Sequence, residues 1–196
     1  MAFVILAIIG CSSVTSYLDI ARDKGTSKAY MDVLNRWTRK ETLYSQFETN
    51  IQISATYKGN VFNKAYLDEY ARMYNLTETE KEKRSDLQAG FASDFREFLF
   101  YAYIPDKEAN DFEKPNSIWK IFLLDEKGNR VEPLEIRKIE KITPVIEEFY
   151  PYINKYYGMF YSVKFPPVPG GAADDTTGRM RLLFTGVLGK VELAWL

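Results

Sequence analysis

Ten consecutive residues, Phe95 to Ile104, place the tightest constraint on how this chain can fold. Phe98, Phe100, Ala102 and Ile104 alternate with Leu99, Tyr101 and Tyr103, so an extended strand here is apolar on both faces. Such a strand belongs in the centre of its sheet. Period-two alternation recurs around it. Ile51, Ile53, Ala55 and Tyr57 alternate with Asn50, Gln52, Ser54 and Thr56, which reads as a half-buried strand with one wet face. Trp119, Ile121 and Leu123 predict another strand. Asp125 to Asn129 then predicts a hairpin turn, with Gly128 at the position that tolerates positive φ.

The return strand is expected over 130–138, with Pro133 at an edge or bulge because proline cannot donate to a ladder. Met159 to Phe165 alternates as well, and Leu182 to Thr185 with Lys190 to Leu196 reads as a terminal hairpin about Gly186 and Gly189. The chain stops inside this last strand, so trimming its final five residues is expected to unfold it.

The helical signals lie before residue 94. Ala29, Tyr30, Val33, Leu34 and Trp37 recur at helical spacing, and Phe62, Ala65, Tyr66, Tyr70, Met73 and Tyr74 form one apolar stripe. Thr77 with Glu80 is a capping-box pattern that opens a charged, solvated helix, to which Leu87 and Phe91 lend a narrow apolar contact and which Gly90 weakens near its end. Pro144 to Tyr152 reads as a short helix. About seven short strands with turn signals predict a mainly β fold, an immunoglobulin-like antiparallel β-sandwich carrying a helical insertion at about 60–93. A mixed α+β sheet with helices on one face is the alternative.

Composition narrows the chemistry. The 196 residues contain no histidine and one cysteine, Cys11. Ser-His-Asp and Cys-His catalysis, His-ligated metals and intramolecular disulfides are therefore excluded. Lys plus Arg is 26 and Asp plus Glu is 27, without the basic excess a nucleic-acid binder normally shows. No P-loop or dinucleotide glycine pattern is present, and no cofactor is expected. Asp174 and Asp175 sit in a Gly-rich loop that lacks the ligand spacing of a calcium site, so no metal is expected.

The N-terminus supplies a location. Ala2 to Ile9 is entirely apolar, and no charge occurs before Asp19. Eleven helical residues rise about 16 Å, half of what a bilayer core requires, whereas the length suits a secretory signal. Ile8-Ile9-Gly10-Cys11 resembles the lipobox of bacterial lipoproteins. The resemblance implies removal of residues 1–10, acylation of Cys11, and a tether over 11–26 leading to one globular domain over 27–196. Ser12 rather than Asp after the cysteine implies the outer membrane of a two-membrane cell. The partners so implied are the membrane, through the lipid, and an envelope protein or glycan, with no nucleic acid. The other reading of Phe3 to Ile9 is a buried strand of an intracellular protein.

One constellation stands out in the body. Glu147 and Glu148 precede Tyr150, Tyr152, Tyr156 and Tyr157. These six residues are a candidate ligand surface. Stacked rings beside carboxyls would suit a hydrolase of envelope glycan, if two carboxyls face one cleft. Core and rim packing of the tyrosines is the simpler reading. Around Trp37-Thr38-Arg39-Lys40, either a cation lies over an indole or a helix ends in basic residues. Together these features point to a lipid-anchored binding or structural module of the cell envelope.

Overall fold

The computed structural model describes residues 25–45, 48–167 and 179–195, with the side chains of residues 45, 48 and 88–94 excepted. In chain order the elements are α1 (Lys28–Trp37), β1 (Thr38–Ser45), β2 (Glu48–Tyr57), α2 (Asn60–Tyr74), α3 (Glu78–Asp94), β3 (Arg96–Tyr103), a 3-10 turn (Lys107–Ala109), β4 (Trp119–Leu124), β5 (Arg130–Val131), β6 (Glu135–Lys138), α4 (Pro144–Phe149), β7 (Met159–Phe165), β8 (Met180–Gly186) and β9 (Gly189–Trp195). The strands form two antiparallel sheets, ordered β1-β2-β3-β7-β6 and β5-β4-β8-β9.

β3 is the middle strand of the larger sheet, as its two apolar faces require. Phe98, Phe100 and Ala102 enter the core between the sheets. There they join Ile53 and Val163 from their own sheet and Ile121, Leu182, Phe184 and Leu193 from the other. Leu99 and Tyr101 point the opposite way, into a second core with Tyr30 and Leu34 of α1, Phe62 of α2 and Phe149 of α4. The molecule is thus mainly antiparallel β in two packed sheets, with helices on the outer face of the larger one. The connection from β3 to β4 keeps its buried polar groups paired. Asn110 Nδ2 donates to the Ala102 carbonyl at 2.9 Å, and the Tyr161 hydroxyl donates to the Asn110 carbonyl at 2.8 Å.

That helical layer corrects the reading of β2. Its expected wet face is partly under the helices: Ser54 is 2% and Thr56 0% exposed. Buried hydroxyls need partners. Thr56 Oγ1 finds them in Thr38 Oγ1 at 2.7 Å and the Tyr152 hydroxyl at 2.9 Å.

Three further expectations change in detail. The strand expected over 130–138 is two strands in different sheets: β5 pairs with β4, and β6 pairs with β7. Pro133 lies at the crossing, and the next backbone N–H, of Leu134, donates to the Lys164 carbonyl of the other sheet at 2.7 Å. α1 ends at Trp37, and Thr38 opens an unforeseen edge strand. Arg39 does lie over an indole, but it is that of Trp195, 5.8 Å from the ring centroid, and its Nε donates to the Ala194 carbonyl at 2.8 Å. α3 ends at Asp94, one turn after Gly90, but Leu87 is 64% exposed rather than packed, while the Phe91 side chain lies outside the described residues.

Other local signals hold. Thr77 and Glu80 form the capping box, Gly128 has φ of 83°, and β8 and β9 form the terminal hairpin. Residues 1–24, on which the signal and lipobox expectations fall, and residues 168–178, with Asp174 and Asp175, lie outside the described residues.

Candidate functional site

The face of α2 that packs under Tyr30 and Phe149 carries Phe62, Ala65, Tyr66 and Tyr70. It also carries Glu69, which is only 4% exposed. A carboxylate so placed must be paired and hydrogen-bonded. One turn later, Arg72 supplies Nη2 to Glu69 Oε1 at 2.6 Å and Nε to Oε2 at 3.2 Å. Ser27 supplies its backbone N–H at 2.6 Å and its hydroxyl at 2.7 Å. Burial alone would push the Glu69 carboxyl up, but the bonds from Arg72 and Ser27 outweigh it and hold the group below the usual carboxylate range.

Ser27 works in two directions. Its hydroxyl also accepts the Tyr30 N–H at 3.2 Å as the N-cap of α1. The preceding peptide unit is gripped at both ends. Arg72 Nη2 donates to the Gly25 carbonyl at 3.1 Å, and the Thr26 N–H donates to Glu148 Oε1 at 3.0 Å. Glu69, Arg72 and Glu148 thereby fix the route by which the chain enters the body.

A pocket of about 550 Å³ opens beside this clamp, lined by Gly25, Arg72, Tyr74, Val145, Glu148 and Phe149 among others. Its two aromatic lining residues, Phe149 and Tyr74, are the ends of a ladder of rings that runs behind it through Tyr66 and Tyr70. Tyr66 lies 4.5 Å from Phe149, and Tyr70 stacks on Tyr74 at 4.3 Å. The guanidinium of Arg84 lies 4.9 Å from the Tyr70 ring centroid. The ladder ends in Tyr74, which is 49% exposed.

The six residues expected to form one ligand surface divide into four groups. Glu147 is bound to Lys155 Nζ at 2.9 Å, and its neighbour Glu148 lines the pocket. Tyr150 is buried against Phe62 and Phe160, and Tyr152 is bonded to Thr56. Burial pushes both hydroxyls well above the usual tyrosine range. Tyr156 and Tyr157 are exposed at 75% and 64% on a turn organised by Asn154, whose carbonyl accepts the N–H groups of Tyr157 and Gly158 at 3.2 Å each. Adjacent residues do not share a helix face, which is why Glu147 and Glu148 part.

Ser27, Glu69 and Arg72 were not singled out from the sequence. A signal for two of them exists: Glu69 interrupts the apolar stripe of α2 on its buried face, and Arg72 follows at i+3. Nothing comparable marks Ser27, which lies 42 residues away.

Among the described residues, no group of three or more Cys, Asp or Glu is placed to hold a metal ion. No described helix is long and apolar enough to cross a membrane. No protein-family model matches the chain, and no curated protein or solved structure matches it either.

Proposed function

We propose that this chain is a lipid-anchored binding or structural module of the bacterial cell envelope, with an immunoglobulin-like body. The observation that carries the location is Ile8-Ile9-Gly10-Cys11, closing an apolar run and followed by Ser12-Ser13-Val14-Thr15-Ser16. A lipid on Cys11 would tether the body through residues 12–24 to Gly25, where Arg72 and Glu148 grip the backbone. One acyl chain holds a membrane only marginally, and the multiple chains of the lipoprotein family make attachment durable.

The immunoglobulin-like reading rests on strand order. β2-β3-β7-β6 follows the A-B-E-D order, and β5-β4-β8-β9 follows C′-C-F-G. On this reading β1 is an added edge strand, and α2 and α3 are inserted between strands A and B. Trp119 is the buried tryptophan of strand C, 3% exposed. With one cysteine there is no inter-sheet disulfide, and Phe100 on B and Phe184 on F meet in its place.

A carboxylate hydrolase has less support. It needs two carboxyls facing one cleft, and Glu147 is engaged by Lys155 while Glu148 lines the pocket. An intracellular protein with a buried N-terminal strand is distinguished by fractionation. Cys11→Ala should move the protein from the membrane fraction to the soluble fraction. Retention of the variant on membranes through a high-salt wash contradicts the anchor.

A further inference from the structure

The pocket between the C-terminal end of α2 and the N-terminal end of α4 has an electrostatic balance that selects its ligand. Two of its charges cancel: the Arg72 guanidinium is spent on Glu69 and on the Gly25 carbonyl. Glu148 is different. It is exposed and accepts the Thr26 N–H at 3.0 Å, and no described cation lies within salt-bridge range of it. Among the described residues, the site therefore carries one net negative charge. Beside it stands the half-exposed ring of Tyr74, fixed by its stack on Tyr70 at 4.3 Å. The ladder already receives a cation on its inner ring, where Arg84 sits 4.9 Å from the Tyr70 centroid. Met73, Pro144 and Val145 complete an apolar wall, and the volume of about 550 Å³ is in the range of ligand sites.

We propose that this pocket binds the lysine side chain of a peptide partner, with the ammonium at Glu148 and Tyr74 and the methylene stem along Met73 and Val145. A compact cation on a flexible apolar stem matches each wall: carboxylate and ring for the charge, apolar side chains for the stem. An anionic ligand would meet Glu148 and find Arg72 already neutralised. Preorganisation is built in, because the Glu69 clamp and the ring stack hold the walls before any ligand arrives. The inference rests on the reading of the body as a binding module, and it is independent of the lipid on Cys11.

The test is an NMR titration of the full chain, labelled at methyl groups, with Nα-acetyl-lysine-N-methylamide. Saturable shifts at the Met73 and Val145 methyls are expected. Glu148→Gln should weaken binding about tenfold, through loss of a charge-assisted contact. Glu147→Gln should bind as the parent does, and the Nε-acetylated ligand should not bind. Equal binding of the Nε-acetylated ligand, or no saturable shift at these methyls, overturns the proposal. Lys24→Ala covers the remaining source of the same chemistry. Binding that appears only in that variant assigns the pocket to the chain's own lysine and overturns the peptide partner. Membrane association of Glu148→Gln is read in parallel. A loss of ligand binding with attachment intact separates this proposal from the anchor.

Discussion

Phe100 on β3 and Phe184 on β8 meet edge to face across the two sheets, their ring centroids 5.1 Å apart and their planes at 66°. Both are fully buried. Tyr161 stacks on Phe100 at 4.9 Å, and Phe112 closes the cluster at 5.3 Å from Phe100 and 5.8 Å from Phe184. Aromatic pairs in this geometry contribute beyond the area they bury. These rings sit at the centre of the core through which the two sheets pack.

Truncating either ring should therefore be costly. Phe100→Ala and Phe184→Ala are each expected to destabilise the fold by about 3–5 kcal/mol. The double variant should lose less than the sum, because the two rings share one contact. Urea denaturation of the four proteins measures both quantities. Strict additivity would show that the rings are held independently.

The last strand should be indispensable. Residues 192–196 include Leu193 and Trp195, which are 2% and 3% exposed. Trp195 Nε1 donates to the Trp37 carbonyl at 2.8 Å, and its ring lies 5.2 Å from Phe98. A chain ending at Val191 loses these contacts and four of the seven β8–β9 pairs. It is expected to show no cooperative thermal transition; a normal melt would contradict the packing described.

Glu69 should make stability depend on acid. Its folded-state pKa is depressed by Arg72 and Ser27, so its stabilisation is fully present above the ordinary glutamate range, near about 4.3. It is lost as the pH falls through the depressed value. Glu97 acts in the same sense: burial raises its carboxyl, but the Lys58 ammonium at 2.7 Å and the Ser162 hydroxyl at 2.6 Å win and hold it low. The parent should lose stability between pH 6 and pH 3 more steeply than Glu69→Gln. Urea midpoints across that range decide it, and parallel curves would remove Glu69 from the account.

The sequence was most legible where one physical requirement acts alone. Two apolar faces put β3 at the centre; Gly128 and the Thr77–Glu80 box mark a turn and a helix start. It was least legible where a partner is distant. Thr38-Arg39-Lys40 reads as a basic helix end or as a cation over an indole, yet it opens an edge strand because β2 offers a ladder, and Arg39 reaches the β9 carbonyl of Ala194. Ser54 and Thr56 read as wet because alternation distinguishes polar from apolar, not water from a hydroxyl on another element. The candidate site has the same character. Glu148 was named for its carboxyl, but its setting comes from Arg72 and Tyr74 on another helix. Glu69 and Ser27 meet only once α1 and α2 have packed.

The N-terminus of the mature protein decides whether it is anchored through Cys11. Intact-mass spectrometry of the chain isolated from its native cells is expected to show residues 1–10 absent and Cys11 carrying the added mass of acyl chains. A chain that begins at Met1 with an unmodified Cys11 would contradict the anchor.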